Sequence, residues 1–138
     1  MIIKDYTMGT VFTNQDLMDT FKVSNSGGMR RSKAANTLIL VNKTDSIYKN
    51  YWQDDIFYYT GMGLTGDQNL NNAQNKTLLE SNHNGITILL FNHLKPNHYV
   101  YAGQVYLAAK PFYQEQKDKD NKSRKVVIFP LKLKQPPA

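Results

Sequence analysis

Three histidines, eleven carboxylates and no cysteine bound the chemistry open to this 138-residue chain. The stretch Phe91-Asn-His-Leu-Lys-Pro-Asn-His98 carries the letters of an HNH nuclease. That chemistry needs a metal-binding histidine on a helix facing a base histidine on a strand. Here His93 and His98 flank Lys95-Pro96-Asn97, a turn sequence between two strands, so both read as exposed loop histidines, as does His83. Asp54 and Asp55 are adjacent, which on a strand sends them to opposite faces and suits neither paired metal ligation nor acid–base work. Gly61-Met-Gly-Leu-Thr-Gly66 is glycine-rich but lacks the Lys-Ser/Thr of a phosphate-binding loop, and neither GxSxG nor GxGxxG occurs. The lack of cysteine excludes disulfides, cysteine-ligated zinc and a thiol nucleophile. No catalytic centre is visible, and neither a cofactor nor a metal is expected.

Aromatic density is the positive signal. Tyr48, Tyr51, Trp52, Phe57, Tyr58 and Tyr59 fall within twelve positions that also hold Asn50. Most of these rings are expected to fill a core. An aromatic wall beside a polar amide is also what stacking on a nucleic-acid base requires. Charge points the same way: 17 Lys+Arg against 11 Asp+Glu gives +6, and each cation set against a phosphate releases condensed counterions. The mixed run Glu115 to Lys125 reads as a solvated hairpin loop, with Lys122, Arg124 or Lys125 as minor phosphate contacts.

These residues need elements to hold them. One domain fits the length, and 41% hydrophobic residues suffice for a modest core. Met1 to Tyr6 does not resemble a signal peptide, and no apolar run reaches membrane-spanning length, so an intracellular soluble domain is expected. Thr13-Asn-Gln-Asp16 is an N-cap sequence, and Leu17, Met18 and Phe21 follow at helical spacing, predicting a helix over Asn14 to Phe21. A second helix is predicted over Asn69 to Glu80. The short apolar run Thr10-Val-Phe12 opens the order, and strands are predicted at Thr37–Val41, Ile56–Tyr59, Ile86–Phe91, Tyr99–Ala108 and Val126–Leu133, with Pro130 marking a bulge or an edge. The order β-α-β-β-α-β-β-β predicts an α+β fold with a curled sheet or small barrel.

Tyr59-Thr-Gly-Met-Gly63, then Asp67-Gln-Asn-Leu70, then Asn75 and Leu78, resembles the SRA domain, which reads modified cytosine by extruding it from the duplex. Gly9-Thr-Val-Phe12, the loop Gly27-Gly-Met-Arg-Arg-Ser32 and the Thr37–Val41 strand fall in the family's order. The nearest resemblance is to the SRA-like domain that opens McrA-type HNH modification-dependent restriction endonucleases, and it runs from about Gly9 to Leu133.

The resemblance implies a PUA-like curled β-barrel with two short helices packed outside, spanning residues 1–133, with 134–138 starting a linker. It implies binding of double-stranded DNA containing 5-methylcytosine or 5-hydroxymethylcytosine, in the prokaryotic cytoplasm, alongside a covalent or partner nuclease domain that does the cutting. The alternatives are a PUA-like RNA-binding module without modified-base recognition, and a small nucleotide hydrolase with a metal on Asp67 or Asp54-Asp55. By the resemblance the flipped base stacks between Tyr59 and a second ring, matched best by Tyr48 with Trp52 or Tyr51 as substitutes. Asn50 stands where the family has an aspartate for the cytosine amino group. An asparagine that rotates its amide serves thymine as well, so weak discrimination is expected unless backbone groups fix its edge. Arg30, Arg31 and Lys33 beside flexible Gly28 are expected to meet phosphates, with Met29 as a wedge in the gap left by the base. Gly61, Gly63, Asp67 and Gln68 are expected to organise the barrel mouth through backbone hydrogen bonds. The longer finger that eukaryotic SRA domains carry between Gly66 and Asp67 is missing.

Overall fold

A computed structural model describes residues 7–43, 48–64 and 66–134. The chain enters through a two-residue strand β1 (Val11–Phe12), and Thr13 then starts helix α1 (Asn14–Phe21). Thr13 Oγ1 accepts the Asp16 N–H at 3.0 Å and Asp16 Oδ2 accepts the Thr13 N–H at 2.9 Å, a reciprocal cap that satisfies two orphan donors of the first turn. Leu17 and Phe21, one turn apart, are fully buried. Phe21 and Phe12 meet Phe91 edge-on, sealing α1 against one face of the sheet. The helix stops at Lys22, which turns left-handed at φ +58°.

The remaining strands are β2 (Met29–Ser32), β3 (Thr37–Lys43), β4 (Tyr51–Gln53), β5 (Ile56–Thr60), β6 (Thr87–Lys95), β7 (His98–Leu107), β8 (Phe112–Lys117) and β9 (Ser123–Leu133). They form one curled sheet in the order β2-β3-β6-β7-β9-β5-β4, with β1 on β7 and β8 on β9. β3 and β6 pair in parallel, and the crossover between them carries α2 (Ala73–Leu79) and α3 (Ser81–Asn84). The predicted second helix is therefore shorter than expected and followed by a separate single turn, giving three helices among the described residues where two were expected. Asn75 spends its side chain on backbone groups at Met62 and Asn69, which holds the preceding segment as a turn.

Strand periodicity sorts the side chains. Leu38 and Leu40 of β3, Ile88 and Leu90 of β6, and Phe57 and Tyr59 of β5 meet in the main core with Val127, Phe129 and Leu131 of β9. Ile39, Val41, Leu89 and Phe91 face the other way, toward α1. The solvated hairpin expected at Glu115–Lys125 forms, with a shorter loop than expected, since the β8–β9 ladder runs in register from Phe112↔Ile128 to Lys117↔Ser123. Pro130 lies inside β9 and not at an edge, paired with Tyr58. It sits where β9 passes from β8, paired up to Ile128, to β7, paired from Leu131, so its missing N–H costs no ladder bond. The expected linker beyond Lys134 and the stretch Met1–Tyr6 lie outside the described residues.

Candidate nucleic-acid interface

At the open end of the barrel, β3 and the 24–28 loop border a cleft of about 300 Å³. Tyr48 and Asn50 form one side of it, and Gly27 and Gly28 another. Arg30, Lys43, His93 and Tyr99 complete the wall. Lys43, His93 and Tyr99 also border an adjoining groove that reaches Lys95 and Asn97 in the β6–β7 turn. Cleft and groove thus adjoin through these three residues, and cations line both.

Each wall is hung on buried polar bonds. Tyr48 is half-buried, with its hydroxyl 3.3 Å from the Gly63 carbonyl. Burial pushes its phenol up, partly offset by the Arg124 charge and that hydrogen bond. Gly63 in turn sits in a knot at the barrel mouth. Gln68 Nε2 donates to the Gly61 and Gly63 carbonyls at 2.7 and 3.2 Å, and Gln68 Oε1 accepts the Val127 N–H at 2.9 Å. Asp67 Oδ1 accepts the Lys125 N–H at 2.8 Å. Asn75, fully buried, accepts the Met62 N–H at 2.7 Å and donates to the Met62 and Asn69 carbonyls. A Cβ at Gly61 would come within 2.6 Å of Asn75 Oδ1, so only glycine fits there.

Asn50 occupies the junction of pocket and barrel. Its Oδ1 accepts the Thr60 N–H at 2.7 Å, and its Nδ2 donates to Asn42 Oδ1 at 3.1 Å. The amide edge that the sequence left free to rotate is therefore held by a backbone group.

Several expected site residues stand elsewhere. Tyr59 does not line the cleft: it shares the inward face of β5 with Phe57 and is only 2% exposed. Its hydroxyl lies 2.8 Å from the Gly28 carbonyl and 3.2 Å from that of Val41, directly behind the cleft wall. Burial, reinforced by the neighbouring Tyr48, holds its phenol far above the ordinary range. Trp52 is on β4, half-exposed against Phe57 and outside the cleft. Met29 is core rather than a wedge, because Met29–Ser32 is a strand and not a loop.

Arg30 is also not a surface phosphate contact, being 4% exposed. Its guanidinium donates to Gly27 O at 2.8 Å, Asn14 Oδ1 at 2.7 Å, Ser24 O at 3.4 Å and Tyr99 Oη at 3.5 Å. It clamps the 24–28 loop to α1 and β7. All four acceptors are neutral, and among the described residues the single ion pair is Lys132–Asp55, so no described carboxylate is paired with Arg30. Arg31 and Lys33 are exposed, outside the cleft wall. Arg124, offered as a phosphate contact, is buried and donates to the Gly66 carbonyl.

His93, Tyr99 and Lys43 were missed as cleft residues. His93 is not an exposed loop residue: it is in β6, paired with Tyr99 of β7, and the two rings stack 4.2 Å apart at 10°. Two aromatic rings flanking a Pro-Asn turn could have signalled that cross-strand pair. Among the described residues no group of three or more histidine or acidic side chains could hold a metal, and no helix is long and apolar enough to cross a membrane.

No curated protein matches the sequence. Solved structures do match the fold. The sulfur-binding and SRA domains of ScoMcrA complexed with phosphorothioated DNA align with a TM-score of 0.76 at 16% identity, over 93% of this chain and 40% of that one. The modification-dependent TagI restriction endonuclease aligns with a TM-score of 0.69 at 18% identity, over 97% of this chain and 52% of that one. The SUVH5 SRA domain in complex with methylated CHH DNA aligns at 0.64 and 20% identity, over 96% and 97%. The chain thus spans less than half of the ScoMcrA structure and about half of TagI. The curled sheet with short helices is that of SRA domains, which are binding domains. The ScoMcrA-like SRA domain model matches residues 8–137, and the chain belongs to that family.

Proposed function

We propose that this chain binds double-stranded DNA carrying a modified cytosine, 5-methylcytosine or 5-hydroxymethylcytosine, by taking the extruded base into the Tyr48–Asn50 cleft. In this reading it targets a modification-dependent restriction endonuclease of the prokaryotic cytoplasm, and a separate nuclease domain, linked or partnered, cuts the DNA. The observation that carries the reading is an aromatic ring and a fixed amide edge bordering one cleft in a member of the SRA family. Relatives by structure include SRA domains solved with methylated DNA.

The energetics fit. Extrusion costs a few kcal/mol of stacking and pairing. Stacking on Tyr48 returns about 1–3 kcal/mol, and the methyl group adds about 0.8 kcal/mol. Phosphate contacts therefore supply the net affinity. Lys43 and Lys95, bordering the groove beside the pocket, are placed for them, with exposed Arg31 and Lys33 as further contacts. Tyr59 supports the pocket from behind by holding the Gly28 and Val41 carbonyls.

The test is a binding panel of otherwise identical duplexes carrying C, 5-methyl-C, 5-hydroxymethyl-C or glucosylated C at one position, with structured RNA as competitor. A modified duplex is expected to bind best, with a fluorescent cytosine analogue reporting an unstacked target. Equal binding of all duplexes, or RNA competing as well as methylated DNA, refutes the reading.

A further inference from the structure

The inward-facing positions of β3 run Leu38, Leu40, Asn42, and those of β6 run Ile88, Leu90, Asn92. The apolar lining of the barrel therefore ends at its mouth in two asparagines that are partners in the parallel ladder. Asn42 Nδ2 donates to Asn92 Oδ1 at 3.0 Å, while Asn42 Oδ1 accepts from Asn50 Nδ2 at 3.1 Å. Asn50 Oδ1 accepts the Thr60 backbone N–H at 2.7 Å. A backbone N–H can only donate, so the atom facing it must be oxygen. From that fixed point the polarity of all three amides follows, running one way from Thr60 through Asn50 and Asn42 to Asn92.

Asn50 keeps one N–H and one oxygen lone pair beyond these bonds. Cytosine offers an amino donor beside a ring-nitrogen acceptor, which an amide of this fixed polarity meets with its oxygen and its N–H. Thymine offers the reverse, a carbonyl acceptor beside a ring N–H. Serving thymine would require turning the amide over, which puts Nδ2 against the Thr60 N–H and leaves two donors face to face. An uncharged amide can thus discriminate as an aspartate would, by being unable to rotate.

We propose that Asn42 and Asn92 are positioning residues that lock the Asn50 amide and make the pocket selective for a cytosine-type edge over a thymine-type edge. This rests on the reading that an extruded base enters the cleft. The experiment compares 5-methylcytosine with thymine, each opposite an abasic site so that no pairing must be broken. Binding is measured for the full chain and for Asn42→Leu, Asn42→Asp and Asn92→Leu, with melting curves to confirm folding. The wild type is expected to favour 5-methylcytosine by roughly tenfold or more, the worth of one buried donor left unmet. Asn42→Leu removes one of the two bonds that hold the amide and leaves the Thr60 N–H in place, so it should lower that ratio by about three- to tenfold without reversing it. Asn42→Asp, which still accepts from Asn50 Nδ2, should keep it. Asn92→Leu, at the far end of the chain of amides, should lower it by about two- to threefold and serves as the test if Asn42→Leu does not fold. A wild type that prefers 5-methylcytosine to cytosine in ordinary duplexes but ignores the thymine contrast overturns the lock while leaving base capture intact. Equal loss in Asn42→Leu and Asn42→Asp also overturns it. A wild type showing neither preference nor an unstacked target base removes the underlying reading, and the lock with it.

Discussion

Tyr48 and Tyr59 are eleven residues apart, and their environments assign them different work, which substitution separates. Tyr48 is half-buried on the cleft, and its hydroxyl bond to Gly63 O is long at 3.3 Å. Removing its side chain in Tyr48→Ala costs the fold about 1 kcal/mol for that bond, or roughly 3–5 °C in melting temperature for a chain of this size. It removes the stacking surface for the base, about 1–3 kcal/mol, which at 1.4 kcal/mol per tenfold is roughly 5- to 150-fold in affinity for the modified duplex. Binding to unmodified duplex, carried by phosphates, should hardly change. Tyr59 is 2% exposed in the core, so Tyr59→Ala opens a cavity costing about 3–5 kcal/mol, a large part of a typical domain's stability. The informative change there is Tyr59→Phe, which removes only the hydroxyl. The Gly28 carbonyl keeps the Val41 N–H at 2.7 Å, so the cost is that of an ordinary hydrogen bond, about 1 kcal/mol. Fluorescence anisotropy with 5-methylcytosine and plain duplexes, alongside urea unfolding followed by Trp52, reads both effects. The expected result is loss of modified-base preference in Tyr48→Ala and its retention, within about threefold, in Tyr59→Phe. The opposite pattern would refute the assignment of Tyr48 as wall and Tyr59 as support.

Gly61→Ala drives a Cβ to 2.6 Å from Asn75 Oδ1 and 3.2 Å from Gln68 Oε1, and should destabilise the chain by about 2–4 kcal/mol in urea titration; wild-type stability would show that the knot yields freely. Lys43→Ala with Lys95→Ala should weaken all duplexes alike and lower the salt slope by about 2, whereas a selective loss for modified DNA would place these lysines at the base. The raised Tyr59 phenol makes the native state hold its proton more tightly than the unfolded chain does. Its contribution is complete below the unfolded phenol value of about 10 and is lost as pH rises above it. Tyr59→Phe should flatten that alkaline decline, and an unchanged decline would assign it to other groups.

The sequence showed the elements whose burial is one-sided or complete. α1 announces itself by the Thr13 cap and the Leu17–Phe21 spacing, and β3, β6, β7 and β9 by apolar runs that the two cores require. It did not show β2, β4 or β8. β4 and β8 bury almost nothing, so neither presents the alternation by which strands are read. They exist because β5 and β9 offer free edges, a property of the partner and not of their own residues. Arg30 was misplaced for a related reason. A charged residue just after paired glycines reads as exposed until the chain closes and four acceptors, three from the loop and α1 and one from β7, converge on it. Asn50 was picked out by its match to the family's aspartate position, but its fixed polarity depends on Asn42, Thr60 and their geometry, which no local pattern encodes.

Both sides of the cleft are tied down before any ligand arrives, and by independent means. On one side the Gln68–Asn75 knot fixes Gly63, which holds Tyr48. On the other, Arg30 fixes the 24–28 loop while Tyr59 holds Gly28 from within the barrel. In the proposed reading, taking up a base would need little rearrangement of these described walls, so their share of the loop-ordering entropy is already met. The Arg30 charge, whose hydrogen-bond partners among the described residues are all neutral, belongs to the same design. A carboxylate partner would neutralise the wall that a polyanion must approach, whereas neutral carbonyls and a tyrosine satisfy the guanidinium donors and leave its field directed at the cleft. Clamp and attractant are one side chain, which is why its burial and its charge are compatible with each other.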